Sequence, residues 1–215
     1  MNNSVLTMNA YNYILSKILT GEIKQGERIR EDIIADQMGT SRTPVREAVN
    51  QLTQNGFIVH IPRKGLYCVE ITQEELLNLL DLRTVLADYS YERCAQTASL
   101  DDIKELVDHI NEFLALDQRD KIQCHEDYDI RFHLMIAKIT NSSRLIKYIE
   151  EIETILRIAR AKLKKSPRMN EVIDLSWVLH KEIVEAIEAK DFKKLHDTNE
   201  RHMKLMRETQ VLAKG

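Results

Sequence analysis

The chain has 215 residues, 43% hydrophobic and 30% charged, with a formal net charge of −3. No apolar run approaches the roughly 18–20 residues of a membrane span, and the polar start Met1-Asn2-Asn3-Ser4 does not read as a signal peptide, so a soluble, cytoplasmic protein with no membrane partner is expected. Cys68, Cys94 and Cys124 form no CxxC pair and read as reduced structural thiols, while six glycines and three prolines predict long helices with few breaks.

Ala10, Ile14, Leu15, Ile18 and Leu19 recur at helical spacing and predict a first helix over 8–20, stopped at Gly21. A second short helix fits 31–38, with Ile34, Ala35 and Met38 inward and Gly39 permitting a tight turn. A third begins near Thr43, with Pro44 suited to its first position and Val45, Ala48, Val49 and Leu52 as its apolar face. After Asn55-Gly56 the period changes. Residues 57–61 and 66–71 are β-prone around a Pro62-Arg63-Lys64-Gly65 turn, which predicts a hairpin. Thr72 with Glu75 makes a capping box, Ser99 with Asp102 gives a second start signal, and helices are expected near 72–97, 100–116, 123–139, 142–164, 170–189 and 191–212. Breaks fall at Asn141-Ser142-Ser143 and Ser166-Pro167.

Three helices followed by a hairpin is the layout of a winged helix-turn-helix. With the third helix's apolar stripe turned inward, Thr43, Arg46, Glu47 and Asn50 are expected outward and Arg42 at the helix entry. Arginine can make paired hydrogen bonds to guanine in the major groove, and serine or threonine hydroxyls can bind phosphate beside the helix-end amides. The hairpin tip Arg63-Lys64-Gly65 can reach the DNA backbone or minor groove. Residues 1–70 carry eight Lys+Arg against seven Asp+Glu, so contact must rest on a few placed side chains rather than on bulk charge. Spacing alone is equally consistent with an ordinary charged surface helix.

Farther on, polar residues on apolar stripes are the informative ones. Asp129 and His133 share a helix face at i, i+4, among Ile130, Phe132, Leu134 and Ile136. His180 lies on the stripe of Ile173, Trp177, Val184 and Ile187, and His202 on that of Leu195, Asn199 and Met206. Burying such groups unpaired is costly. A shared divalent transition metal would satisfy all four, and Zn, Ni, Mn or Fe each suit one carboxylate with three imidazoles. His125, four residues before Asp129, competes as a ligand. His109 and His196 fall off their stripes, and His60 lies in the wing. One histidine on an apolar stripe is more often a hydrogen-bonded core residue; four candidates together weaken that reading.

The run Ser41-Arg42-Thr43-Pro44-Val45-Arg46-Glu47-Ala48, followed by Leu52, Asn55-Gly56-Phe57 and the Arg63-Lys64-Gly65 tip, resembles the GntR family of bacterial regulators, and Gly26-Glu27-Arg28-Ile29-Arg30-Glu31 fits its lead-in. The resemblance implies DNA contacts by Arg42 and Arg46, supporting contacts by Ser41 and Thr43, and wing contacts by Lys64 and Gly65. Asp32 stands where many relatives carry a DNA-contacting arginine, with Arg28 and Arg30 as the nearby substitutes. The order Asp129, His133, His180, His202 is similar to the helical FCD domain of the FadR-type branch. In that branch's metal-binding members such a set holds a metal that often helps bind a carboxylate effector. By the same resemblance Arg83 faces the ligand cavity, although Leu86-Ala87 follows where Leu-Glu is usual and Asp88 is the nearest acid.

The expected fold is mainly α: a winged helix-turn-helix DNA-binding domain over 1–71 and an all-helical effector-binding and dimerisation bundle of six to seven helices over 72–215. The resemblance implies a sequence-specific transcriptional regulator, by family habit a repressor. It would bind a palindromic double-stranded operator as a homodimer, with its affinity controlled by a small carboxylate effector. Two other readings remain at this point. One is a metal-dependent enzyme with a DNA-binding head, which would use the metal to activate water but lacks a recognisable general base or nucleophile motif. The other is a DNA-binding dimer whose helical domain is purely structural.

Overall fold

A computed structural model describes residues 3–160 and 168–212. Among these are nine α-helices and one two-stranded sheet, so the fold is mainly α. Two compact units divide the chain near Thr72.

In the first unit, α1 (Asn3–Leu19) buries Thr7, Ala10, Ile14 and Ile18 against α3 (Arg42–Gln54), which buries Pro44, Val45, Ala48, Val49 and Leu52. The i, i+3, i+4, i+7 spacing on α3 gives one continuous apolar stripe, so the opposite side is left for solvent. Helix α1 starts five residues earlier than its apolar pattern implies, because polar residues such as Asn3 extend it beyond the stripe. Between them α2 (Glu31–Met38) contributes Ile34 and Ala35. It ends on Gly39, which adopts the left-handed conformation at φ 61 and donates its amide to the Ala35 and Asp36 carbonyls.

The hairpin pairs β1 (Ile58–Ile61) with β2 (Gly65–Cys68) in antiparallel register, Ile58 opposite Cys68 and Ile61 opposite Gly65. A third extended segment, not evident from the sequence, lies along β2. Cys68 donates to the Glu27 carbonyl at 2.8 Å, and Ile29 donates to the Leu66 carbonyl at 2.8 Å. This lead-in has too few residues, too many of them charged, to show a period-2 signal.

The second unit is helical: α4 (Gln73–Thr97), α5 (Leu100–Leu114), α6 (Gln118–Ile139), α7 (Ser143–Arg160), α8 (Met169–Ala189) and α9 (Phe192–Leu212). Helix α5 opens with a complete capping box: the Asp102 amide donates to Ser99 Oγ at 3.1 Å, and the Ser99 amide to Asp102 Oδ2 at 2.8 Å. Helix α6 begins at Gln118 rather than 123, because Asp117 caps it by accepting the Asp120 amide. The expected end of the 142–164 helix and the Ser166-Pro167 break lie outside the described residues.

The core centres on Trp177, with Phe113 stacked on it at 4.0 Å between ring centroids, and continues through Tyr91, Leu106, Phe132 and Ile183. His109 corrects its expected position. It is 3% exposed, stacks on Tyr128 at 5.1 Å, and donates Nε2–H to the Tyr128 carbonyl at 2.9 Å. Its spacing from Leu106 and Phe113 is i+3 and i−4, which places it on the buried stripe.

Candidate metal centre and nucleic-acid interface

In the helical unit, α6 supplies Asp129 and His133 one turn apart, α8 supplies His180 and α9 supplies His202. All four are buried, and one ligand atom from each lies within 4.8 Å of the others. Asp129 Oδ1 is 3.3 Å from His180 Nε2 and 3.7 Å from His133 Nε2. Metal–nitrogen bonds of about 2.0–2.1 Å place two ligands of one ion about 3–4 Å apart, so the two Asp129 separations already fit, and pairs nearer the 4.8 Å limit would close on an ion. His125 does not join them; it is only half-buried and its Nδ1 lies 3.0 Å from the Ile122 carbonyl, four residues back on α6 from Asp129.

The surroundings orient the donors. His133 Nδ1 is 3.1 Å from the Tyr91 hydroxyl and His202 Nε2 is 3.0 Å from Ser176 Oγ. His133 Nε2, His202 Nδ1 and both ring nitrogens of His180 are buried without a hydrogen bond. Phe132 stacks on His180 at 4.3 Å and Trp177 meets it edge-on at 4.9 Å. Burial holds His180 and His202 well below the ordinary imidazole range, reinforced at His202 by the charge of Arg83. They are therefore neutral, the form that ligates metals. Burial opposes the charge of Asp129, but the adjoining His133 and the Arg83 guanidinium outweigh it and hold the carboxyl well below its usual range. Unmatched neutral imidazoles beside an ionised carboxylate fit a divalent cation better than they fit an apolar core.

Arg83, on α4, is 4% exposed. Its Nε donates to Glu153 Oε1 at 2.5 Å and its Nη2 lies 3.6 Å from Asp129 Oδ2. Burial opposes its charge, but Glu153 and Asp129 hold the guanidinium ionised. Glu153 was missed by sequence reading, although it lies on the buried stripe of Ile149, Ile152 and Leu156, the same signal that marked the histidines. Asp88 accepts from Asn199 Nδ2 at 2.7 Å and lies 3.1 Å from the exposed His196 ring, so it does not reach Arg83 through any described hydrogen bond.

In the first unit, Ser41 is the N-cap residue of α3, and its side chain makes no capping bond. Ser41, Arg42, Thr43, Arg46 and Asn50 are exposed on one side of the helix, and Lys64 is exposed at the hairpin tip. Arg42, Arg46 and Gly65 line a concavity of about 580 Å³ that also includes Arg28, Asn50 and His60. Glu47 is exposed, as expected, but is engaged by α1 rather than left free. It accepts from the Thr7 hydroxyl at 2.7 Å and from Asn3, which ties α3 to α1. Arg30 is held by Asp32, with Nη2–Oδ2 at 3.1 Å and Nε–Oδ1 at 3.3 Å. Arg28 instead lies against Gly65, where a Cβ would come 3.4 Å from Arg28 Nε; Gly65 adopts φ +112, which other residues rarely take.

Residues 6–68 match the family described as bacterial regulatory proteins, gntR family, and residues 78–205 match the FCD domain. The chain belongs to the gntR family and carries an FCD domain. The Nta operon transcriptional regulator of Aminobacter aminovorans is 32% identical over 64% of this chain, and the match spans 65% of that protein's length. The gluconate operon transcriptional repressor of Bacillus licheniformis is 27% identical over 93% of this chain and 86% of its own. Among solved structures, E. coli McbR/YncC shares the fold with a TM-score of 0.77 at 19% identity, covering 98% of this chain and 99% of that one. Lar of Listeria monocytogenes does so with a TM-score of 0.69 at 18% identity, covering 96% of each. The gntR family and these relatives are transcriptional regulators rather than enzymes, which removes the enzymatic reading. No described helix is long and apolar enough to cross a membrane.

Proposed function

We propose that this DNA-binding regulator is a repressor that reads a palindromic operator as a homodimer, and that a small carboxylate effector, bound beside a divalent metal in the FCD domain, controls its DNA affinity. The observation that carries the control reading is the buried convergence of Asp129, His133, His180 and His202, three of which have ring nitrogens with no hydrogen bond. Asp129, His133, His180 and His202 would hold the ion, which when bound supplies a Lewis-acidic site for a carboxylate oxygen. Tyr91 and Ser176 orient the rings of His133 and His202. Arg83 supplies the second positive group of the site. The name of the gluconate operon repressor refers to a hydroxycarboxylate, which accords with an effector of this class.

On the DNA side, Arg42 and Arg46 read bases from the start of α3, Ser41 and Thr43 bind phosphate there, and Lys64 and Gly65 bring the wing to the backbone. Arg28 takes the part that Asp32 cannot: Arg28 and Arg30 both line the concavity of Arg42 and Arg46, but Arg30 is already engaged by Asp32. The effector shifts DNA affinity only by the difference in its binding to the two poses of the dimer.

Two measurements test this. Metal analysis of untagged protein should find one divalent transition-metal ion per chain, removable by chelator. No bound metal, and no change in melting on adding Zn or Ni, would leave the FCD domain purely structural. Arg42→Ala with Arg46→Ala should abolish specific footprinting on the operator with the circular dichroism unchanged; an unaltered footprint would refute the assignment of α3.

A further inference from the structure

Glu153 comes from α7 and is 1% exposed, next to the metal-binding cluster rather than part of it. Its pairing with Arg83 is incomplete. Oε1 takes the Arg83 Nε donor, but Glu153 Oε2 and Arg83 Nη2 are both buried without a hydrogen bond, and Nη1 lies 3.0 Å from the thioether sulfur of Met203. A carboxylate that engages arginine fully makes two parallel bonds. A buried ion pair is a weak stability device even when fully bonded, since apolar replacements are often as stable. This arrangement therefore does not read as one selected for stability.

Arg83, Glu153, Ser90, Tyr91 and His133 also line a shared cavity of only about 10 Å³. That is about the room of one water molecule, whereas sites for small organic ligands are typically about 300–1,000 Å³. The protein's own carboxylate fills the place, beside the cluster, where an incoming carboxylate would meet arginine.

We propose that Glu153 is a built-in carboxylate that holds Arg83 in place of an effector's, and so sets which carboxylates the domain answers to. This rests on the reading of the cavity as the effector site. A ligand with one carboxylate and nothing else cannot displace Glu153, because it exchanges one carboxylate for another and loses the tethered one's advantage of being already in place. A hydroxy- or polycarboxylate makes further contacts at the metal and can displace it. The effector class is therefore the multidentate carboxylates, and Glu153 is the residue that rejects the simple ones.

The test uses the full chain loaded with Zn, with acetate and citrate as probes in calorimetric titrations. Glu153→Gln keeps the shape and removes the charge. It should tighten acetate binding by about ten-fold or more, the size of one charge-assisted hydrogen bond, and should narrow the preference for citrate over acetate, with metal content unchanged. Adding Arg83→Gln should erase the gain. Glu153→Asp withdraws the carboxylate by one methylene and should move acetate affinity in the same direction, which keeps the test open if Glu153→Gln folds poorly. An unchanged citrate-to-acetate ratio in both Glu153 variants, with metal retained, overturns the proposal, as does failure of every variant to bind either probe. Absence of metal from wild type overturns the reading of the site, and Glu153 is then judged on acetate binding by Glu153→Gln alone.

Discussion

His180 separates a ligand from a structural histidine more sharply than any other residue of the cluster. Both of its ring nitrogens are buried without a hydrogen bond, and its immediate neighbours include Phe132 and Trp177. An apolar residue there would relieve an unsatisfied polar group at a cost of one ligand. His180→Leu should therefore abolish metal binding while raising the stability of the chelator-treated protein by about 1–2 kcal/mol, read by urea denaturation in EDTA. A histidine serving only the core would give the opposite sign. Tyr91 acts one step removed. With His133 Nε2 kept for the ion, its Nδ1–H donates to the Tyr91 hydroxyl, 3.1 Å away. Tyr91→Phe keeps the ring and removes that acceptor, and should weaken metal affinity by about 10–100-fold with the fold unchanged, measured by competition against a chelator of known affinity.

Helix α5 shows how far a sequence discloses an element. The pair Ser99 and Asp102 is legible because a capping box has a fixed spacing, and the structure forms both of its bonds. Ser99→Ala should cost about 1 kcal/mol in urea denaturation. His109, three residues after Leu106, is legible on the same helical spacing, but the apolar residues alone leave it off the stripe, because a helix face about 100° wide admits more positions than they mark out. Its burial has a pH consequence. Burial lowers its affinity for a proton, the bond to the Tyr128 carbonyl opposing. The unfolded chain then binds more protons than the folded one below the ordinary histidine value of about 6.5, so the stability contributed by neutral His109 is complete above that pH and is lost as pH falls through the window beneath it. His109→Gln should show a smaller loss of stability than wild type between pH 7.5 and 5.5; an equal loss would place the effect elsewhere. The lead-in at Glu27 and Ile29 was not legible as strand, because pairing with β2, rather than any local pattern, extends it. Likewise the stripes of α6, α8 and α9 disclosed which polar side chains turn inward but not that they meet, since their convergence depends on how three helices pack.

For the molecule as a whole, metal and DNA give separate handles. An ion that binds only the folded chain at a hundred times its dissociation constant adds about 2.7 kcal/mol, so Zn or Ni should raise the melting transition of the helical unit, and His202→Ala should remove the rise. The salt dependence of operator binding reports the assembly. Each phosphate neutralised by a lysine or arginine contributes about −0.9 to the slope of log K against log salt concentration. Lys64 is exposed at the wing tip and does not line the concavity that holds Arg42 and Arg46, so it is expected to meet backbone rather than bases. Lys64→Ala should then weaken binding to all sequences alike and flatten the slope. The size of the change counts the heads: about 0.9 if one winged domain engages the operator, and about 1.8 if a homodimer places one on each half-site. Nitrocellulose-filter or anisotropy titrations between about 50 and 200 mM salt resolve that difference. A change near 0.9 on a palindromic operator would mean that only one head binds, and would overturn the dimeric reading without touching the assignment of the wing.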